Sequence, residues 1–535
     1  MTRTILVCCG TGCIANGSLK VAEALRFALA GTDVSVETAV KETGCNGFCE
    51  NGPIVRIMPD DISFYKVKPE DAPDIAASLG GSPPERLLYR DDDGNPVLRQ
   101  TDNPFYAPQH KVVLRNIGLI DPGSIRDYME RDGYESLRKA LKMTPDAIIR
   151  EVEDSGLRGR GGAGFPTGRK WRAAAGYDES PKYVVCNGDE GDPGAFMDRS
   201  VLEGDPHSVL EGMAVCALAI GAQEGFLYIR DEYALALKHV RKAILDAEKA
   251  GVLGESIMGS EKKLRLSVVR GGGAFVCGES TALLASIEGR VGEPHAKYIR
   301  SVQKGLWGKP TVLNNVETFA NIPAIIAKGG ADFASLGAGN SKGTKVFALV
   351  GKVRRTGLIE VPMGVTLRHL IFDIGGGIPG DRPFKAVQTG GPSGGCIPES
   401  LLDLPVDFDT LTEHGAMMGS GGMIVMDDSS CMVDVARYYV KFLADESCGK
   451  CTTCREGLRQ TLTILTDICE GRGKEGDIET LEELCNTMKD TSLCALGKTA
   501  VNPVFTTITH FRNEYDAHIL EKRCPAGACG GGRGN

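Results

Sequence analysis

The sequence predicts a multidomain α/β protein, and three observations carry that prediction. Its 535 residues imply three or four domains at roughly 100–200 residues each. Twelve of its eighteen cysteines crowd into tight groups at the two ends of the chain, as small cysteine-built domains would place them. Between those ends, short apolar runs stop at glycine-rich turns, the pattern of strands that deliver polar groups to the edge of an α/β sheet.

Several classes fall away at once. The net charge of −9 and the lack of a basic stripe interleaved with aromatics argue against a nucleic-acid binder. The longest apolar stretch, around residues 212–222, is far short of the roughly 18 residues of a membrane span. The opening Met1-Thr-Arg-Thr-Ile-Leu-Val-Cys-Cys reads as a strand running into cysteines and not as a signal peptide. The expected compartment is the cytoplasm, where thiols stay reduced, so the cysteine groups point to metal centres. Cys186, Cys216, Cys277, Cys396, Cys431 and Cys485 are scattered and read as small buried hydrophobes.

At the N-terminus, Cys8-x4-Cys13 and Cys45-x3-Cys49 sit in Gly-rich turns on either side of a helical segment and a Val/Thr-rich strand. Zinc ribbons favour C-x2-C knuckles, so the wider spacing favours a [2Fe–2S] centre on Cys8, Cys13, Cys45 and Cys49. Cys9 competes with Cys8, and spacing favours Cys8. With strand, helix and strand around these ligands, residues 1–80 resemble a thioredoxin-like [2Fe–2S] ferredoxin domain. A Pro- and Asp-rich connector over 81–110 follows.

The run Gly156–Gly168 holds six glycines in thirteen residues. Glycine at this density cannot support a helix or strand interior, but it lets backbone N–H groups close on an anion. Arg158, Arg160, Arg169 and Lys170 add positive charge, so the loop reads as a phosphate cradle rather than a linker. Next, the strand Tyr183–Cys186 ends in Asn187-Gly-Asp189-Glu190-Gly-Asp192-Pro-Gly194. Gly271–Glu279 and Leu306–Thr318 are two further glycine- or asparagine-bearing approaches.

Near the other end, Cys448-x2-Cys451-x2-Cys454 opens an amphipathic helix, with Cys494 about forty residues on. Three thiolates at this spacing suit three corners of a [4Fe–4S] cubane, with Cys494 closing the fourth. In the tail, His518-x5-Cys524-x4-Cys529, with Cys469 as a fourth donor, is a zinc-type set; a structural zinc and no metal at all are the two readings. Gly530–Asn535 reads as a frayed terminus.

Together these segments closely resemble the NADH-binding flavoprotein subunit of respiratory complex I, over nearly the whole chain. They also resemble its relatives in NAD(P)-linked hydrogenases, formate dehydrogenases and transhydrogenases. Gly343–Phe347 and Gly390–Gly395 look like the ubiquitin-like β-grasp (SLBB) domain, and the fused N-terminal module resembles the diaphorase (beta) subunits of the hydrogenase branch. The resemblance implies a Rossmann-like FMN and NAD(P)H domain over 111–340. It further implies the SLBB domain over 341–430, a helical [4Fe–4S] domain over 431–520 and a Cys/Gly tail over 521–535.

It also implies FMN held by Gly159, Arg160, Gly161, Gly162, Lys170, Asn187, Asp189, Glu190, Gly278, Glu279, Asn314, Asn315 and Thr318. The dinucleotide would lie over the flavin beside Gly164, Phe165, Lys170 and Asp192. Hydride passes between nicotinamide and flavin, so no catalytic acid–base side chain is implied.

The departures from the family pattern fall at the dinucleotide. Gly278-Glu279-Ser280 stands where the family has Gly-Glu-Glu. Pro294-His-Ala-Lys-Tyr-Ile-Arg-Ser301 replaces Pro-Arg-x-Lys-Pro-Pro-Phe-Pro, and Ala173 takes the place of an aromatic. Losing a carboxylate that faces the ribose while gaining cations favours a 2′-phosphate. NADP(H) is therefore expected over NAD(H), with Ser280, Lys297 and Arg300 near that phosphate.

The expected partners are other subunits of a hydrogenase, formate dehydrogenase or transhydrogenase complex, including a further iron–sulfur subunit, with ferredoxin as another candidate. Two cluster exits around one flavin would also suit electron bifurcation. The alternatives are an electron-relay subunit that has lost nucleotide binding and an NADH-specific diaphorase of a formate dehydrogenase.

Overall fold

The structure is a computed structural model that describes residues 3–30 and 38–529. The start of the Val/Thr-rich segment before Thr38 and the Gly-rich end at 530–535 lie outside the described residues.

The first domain begins with β1 (Arg3–Cys8), whose last four residues are buried. Two helices follow, α1 (Thr11–Ala15) and α2 (Ser18–Ala30), the second burying Val21, Ala22 and Leu25. The chain returns as β2 (Thr38–Thr43), parallel to β1, then β3 (Val55–Met58) and β4 (Ile62–Phe64), both antiparallel, before α3 (Ala72–Ala77). The sheet order β2-β1-β3-β4 is the thioredoxin-like topology. Residues 81–110 are no loose tether. Phe105 is fully buried and stacks on Phe48 at 4.3 Å, with Tyr65, Tyr89 and Tyr106 around the pair, so apolar burial locks this segment down.

The central unit is a four-stranded parallel sheet wrapped by helices. Helix α4 (Pro145–Asp154) precedes the glycine run, and α5 (Thr167–Ala175) follows it. Gly168 belongs to the first turn of α5. A Cβ there would meet the Glu153 backbone at 2.7 Å, so this glycine lets α5 cross α4 closely. Then come β5 (Tyr183–Gly188), α6 (Met197–Gly204), α7 (Pro206–Ile220), β6 (Glu224–Arg230), α8 (Ala234–Lys249), β7 (Arg265–Gly271), α9 (Ser280–Ile287), β8 (Thr311–Asn315) and α10 (Val316–Lys328). All of α7 but Leu218 is buried, which explains the apolar stretch near 212–222: it is a core helix. Among the described residues no helix is long and apolar enough to cross a membrane.

Strand order is β8-β5-β6-β7, all parallel, which is Rossmann-like. The chain leaves β5 for β6 on one side and returns as β8 on the other. The carboxyl ends of β5 and β8 therefore form a topological switch point, where open α/β sheets hold ligands.

A second sheet follows, built from β9 (Thr344–Gly351), β10 (Gly357–Pro362), β11 (Phe384–Thr389), β12 (Gly395–Pro398) and β13 (Gly422–Asp427). Its order β10-β9-β13-β11-β12, with β9 and β13 parallel, is that of a β-grasp domain. Two buried carboxylates tie it to its neighbours. Glu360 accepts backbone N–H bonds from Val112, Val113 and Leu114 at 2.8–2.9 Å, while Glu317 on α10 pairs with Lys345 on β9. The last unit packs α11 (Met432–Asp445), α12 (Thr452–Cys469), α13 (Asp477–Thr491) and α14 (Asn502–Leu520) around an apolar core.

Candidate functional site

The switch point opens into a cleft of about 400 Å³. Its floor is set by register: Asn315 at the end of β8 lies opposite Asn187 at the end of β5. The glycine run closes over it as a loop whose base is pinned by Gly159 N to Phe165 O at 2.9 Å and Thr167 N to Leu157 O at 2.9 Å. Gly162 has φ +112° and passes the backbone of Gly419, where a Cβ would sit 3.3 Å from that chain. Only glycine suits such a backbone.

Within the cleft, polar groups are aimed inward without partners. Both Asp189 carboxylate oxygens and Asn314 Nδ2 are buried and make no hydrogen bond. Burial pushes the Asp189 carboxyl up to about 7, although Arg230 stands 3.7 Å away. Asp192 is raised to about 6, again by burial, while accepting from Ser420 Oγ at 2.7 Å. Lys170 donates to Leu313 O at 2.8 Å and is lowered to about 8 by burial. Orphaned buried donors and acceptors beside a Cβ-free backbone loop fit a polyhydroxylated phosphate ester such as FMN.

The predicted residues do not all turn toward this space. Arg160 is a correction: its side chain is fully buried and donates to Thr344 O, Arg158 O and Lys342 O, facing the β-grasp domain. Only its backbone reaches the site, donating to Thr318 Oγ1 at 2.9 Å. Arg158, also counted as phosphate-binding charge, is held by Asp409 at 2.9 Å. Gly159, Gly161, Gly162, Gly164, Phe165, Lys170, Asn187, Asp189, Glu190, Asp192, Gly278, Glu279, Ser280, Lys297, Asn314, Asn315 and Thr318 all line the cleft.

Some of these side chains are engaged within the protein. Asn187 Nδ2 donates to Gly278 O at 2.9 Å, and Glu190 accepts from Asp198 N and Arg199 N at the start of α6. Glu279 caps α9 and pairs with Lys297 at 2.6 Å. Arg300 does not line the cleft. Its guanidinium sits 5.9 Å from the centre of the Phe165 ring, and Arg169 lies 6.0 Å from the same ring.

Sequence reasoning missed the far wall: Gly390, Ser393, Met417, Gly419 and Ser420 arrive from the β-grasp domain. The Gly390–Gly395 run was the available signal.

Cys448, Cys451, Cys454 and Cys494 surround one small cavity together with Val276 and Leu496, and these two residues also line the large cleft. Leu493 N points at Cys451 Sγ at 3.4 Å. Four convergent thiols with a backbone N–H directed at sulfur fit a cubane. At the other end, Cys8, Cys13, Cys45 and Cys49 line a second cavity beside α6. Cys8 and Cys13 Sγ lie 3.1 Å apart, and Asn46 N and Gly47 N point at Cys8 and Cys45 Sγ, each at 3.4 Å. That donor set fits a [2Fe–2S] centre. Cys9 turns away and takes a bond from Ser18 Oγ.

In the tail the fourth donor is corrected. Cys431, His518, Cys524 and Cys529 place their ligand atoms within 4.8 Å of one another, and Cys469 is not in the group. Cys469 closes α12 in the apolar core, whereas Cys431 opens α11 with its Sγ 3.6 Å from His518 Nε2. His518 Nδ1 is bonded to Glu514 O at 2.7 Å, which leaves Nε2 facing the thiols. Three thiols and an oriented imidazole suit zinc.

Comparison with known proteins bears on these sites. Residues 152–324 match the Nuo51 FMN-binding domain, and 434–518 the NADH-ubiquinone oxidoreductase-F iron-sulfur binding region. The chain is 55% identical over 421 residues to the HndC subunit of the NADP-reducing hydrogenase of Solidesulfovibrio fructosivorans, covering 79% of this chain and 86% of that one. It is 47% identical over 416 residues to an NADH-quinone oxidoreductase flavoprotein of the same family from Rhizobium meliloti, covering 77% and 99%. Among solved structures, an NAD+-reducing [NiFe]-hydrogenase in the H2-reduced state aligns with TM-score 0.69 at 30% identity, over 97% of this chain and 84% of that one.

Proposed function

The chain belongs to the family of FMN-binding, iron–sulfur flavoproteins found in NADH-quinone oxidoreductases, and from that premise we propose that it is the NADP(H)-linked diaphorase subunit of a hydrogenase-type complex. One observation carries the coenzyme reading. Phe165 at the cleft is approached by two guanidinium groups, Arg169 and Arg300, and among the described residues neither has an acidic partner. Lys297 is already matched by Glu279, so these two arginines are the charge left for a 2′-phosphate, with Ser280 offering a hydroxyl where a carboxylate would repel it. The relative named as NADP-reducing supports the same reading.

Bound FMN supplies the junction between hydride and single-electron carriers. The residues of this chain do the holding. The loop amides around Gly159–Gly162 and Lys170 bind phosphate, while Asp189 and Asn314 take up hydroxyl and amide partners that they now lack. Val276 and Leu496 form a dry partition between the cleft and the Cys448, Cys451, Cys454 and Cys494 site.

The Cys8, Cys13, Cys45 and Cys49 site lies behind α6, so two centres flank one cleft, an arrangement that supports branched electron delivery and, with it, bifurcation. Zinc on Cys431, His518, Cys524 and Cys529 would pin the tail. The partners are the complex's other iron–sulfur subunits, with the hydrogen-activating metal carried elsewhere. The assembly is cytoplasmic, where these thiols would stay reduced.

Steady-state oxidation of NADPH and NADH by the purified flavoprotein tests the coenzyme reading, and a clear NADH preference refutes it. Absence of flavin bleaching with either coenzyme would favour the relay alternative.

A further inference from the structure

Helix α6 separates two cavities. Asp198 faces the flavin cleft, while Arg199, Ser200 and Glu203 line the cavity, about 250 Å³, that holds Cys8, Cys13, Cys45 and Cys49. Arg199 is poorly matched there. Its Nε is buried and makes no hydrogen bond. Its nearest carboxylate, Glu203, is 3.8 Å away, and both Glu203 oxygens are taken by Thr11, one by the backbone N–H at 3.0 Å and one by the hydroxyl at 2.5 Å. The guanidinium is held between the rings of Phe196 at 5.6 Å and Tyr233 at 5.5 Å, so it has little room to swing toward water.

A partly buried cation without its full complement of acceptors is costly unless an anion completes it. The anion that this cavity is shaped to hold is a thiolate-ligated cluster. Such a cluster gains one negative charge when it is reduced. A fixed positive charge in the cavity wall stabilises the reduced form more than the oxidised one, because the interaction scales with the charge and is little screened away from solvent. We propose that Arg199 is the counter-charge of the N-terminal [2Fe–2S] centre, a positioning residue that sets how readily that centre takes an electron. The proposal rests on the reading of Cys8, Cys13, Cys45 and Cys49 as its ligands.

Placement on α6 gives the residue a second consequence. The backbone N–H of Arg199 donates to Glu190 at 3.1 Å, and the preceding Asp198 accepts from Asn315 in the cleft. One helical turn therefore fixes the cation on the cluster side and the polar wall on the cleft side.

Potentiometric titration of the full chain, followed by electron paramagnetic resonance, reads the effect without turnover. At the poise where the wild-type [2Fe–2S] centre is half reduced, R199Q should show about a tenfold lower ratio of reduced to oxidised centre, equivalent to 59 mV for one electron. R199K should restore the ratio to within twofold, and the [4Fe–4S] signal should titrate unchanged in both. E203Q removes the neighbouring negative charge and should shift the ratio the opposite way.

An assembled centre whose potential ignores R199Q overturns the proposal. If R199Q folds without its centre, E203Q decides: an unmoved potential overturns it, and an upward shift supports it. Loss of the [2Fe–2S] signal in C8S tests the ligand reading separately, and a signal that survives that substitution sinks both.

Discussion

Removing the Arg300 guanidinium should convert a coenzyme preference into near indifference. Arg300 stands 5.9 Å from the Phe165 ring with no acidic partner among the described residues, so its charge is available to a ligand on that face. A phosphate drawn to contact distance of about 4 Å gains about 1 kcal/mol per unit charge in water-like surroundings and about 4 kcal/mol at an effective dielectric of 20. Arg300 is exposed, so the lower part of that range applies, and about 1–2 kcal/mol corresponds to a loss of roughly tenfold. In R300A, kcat/KM for NADPH should therefore fall about tenfold while that for NADH moves less than about twofold.

Arg169→Ala should give a similar selective loss, because Arg169 approaches the same ring at 6.0 Å. The assay is anaerobic steady-state reduction of an artificial acceptor with each coenzyme at two salt concentrations. The NADPH advantage should shrink at high salt, since the screening length falls from about 10 Å at 0.1 M to about 3 Å at 1 M. Equal losses with both coenzymes would refute the reasoning, because that result means the arginines only support Phe165.

Three further outcomes follow from the geometry. Lys345→Met leaves the Glu317 carboxylate buried without its cation, which should lower unfolding stability by about 3–5 kcal/mol, and adding Glu317→Leu should recover most of it in a urea titration. Burial holds the Asp189 carboxyl near 7 against an ordinary 3.8, so the folded apoprotein keeps a proton that the unfolded chain releases. Its stability should fall as pH rises from about 4 through 7, by up to about 4 kcal/mol at 1.36 kcal/mol per pH unit. Asp189→Asn should accordingly be the more stable form at pH 8 and lose that advantage near pH 4, as calorimetry of the cofactor-free protein can check. Cys431→Ser should cost the protein one zinc per chain by elemental analysis, whereas Cys469→Ser should keep it, because only the first thiol faces His518 Nε2.

What could be read from the chain alone was whatever a short span encloses. Cys448, Cys451 and Cys454 lie within two helical turns, so their spacing already states their common target. The glycine run at 156–168 likewise announces a backbone that must approach a ligand, and Tyr183–Gly188 and Thr311–Asn315 announce strands that end in polar groups. The fold class followed from the same local patterns, since period and punctuation suffice to distinguish parallel strands from helical bundles.

Direction and company were decided by the tertiary structure. Arg158, Arg160, Arg169 and Lys170 look alike in sequence, yet one is tied to Asp409, one is buried under the β-grasp domain, one stands by Phe165 and one reaches the cleft floor. Ser420 reaches Asp192 across 228 residues, and Cys431 reaches His518 across 87, distances over which no spacing rule operates. The sequence by itself determined which chemistries this chain can host, because backbone freedom, thiolate count and strand pattern are local properties. Which charge faces which ligand was settled only by packing, because burial cost and pairing depend on neighbours that the chain supplies from far away.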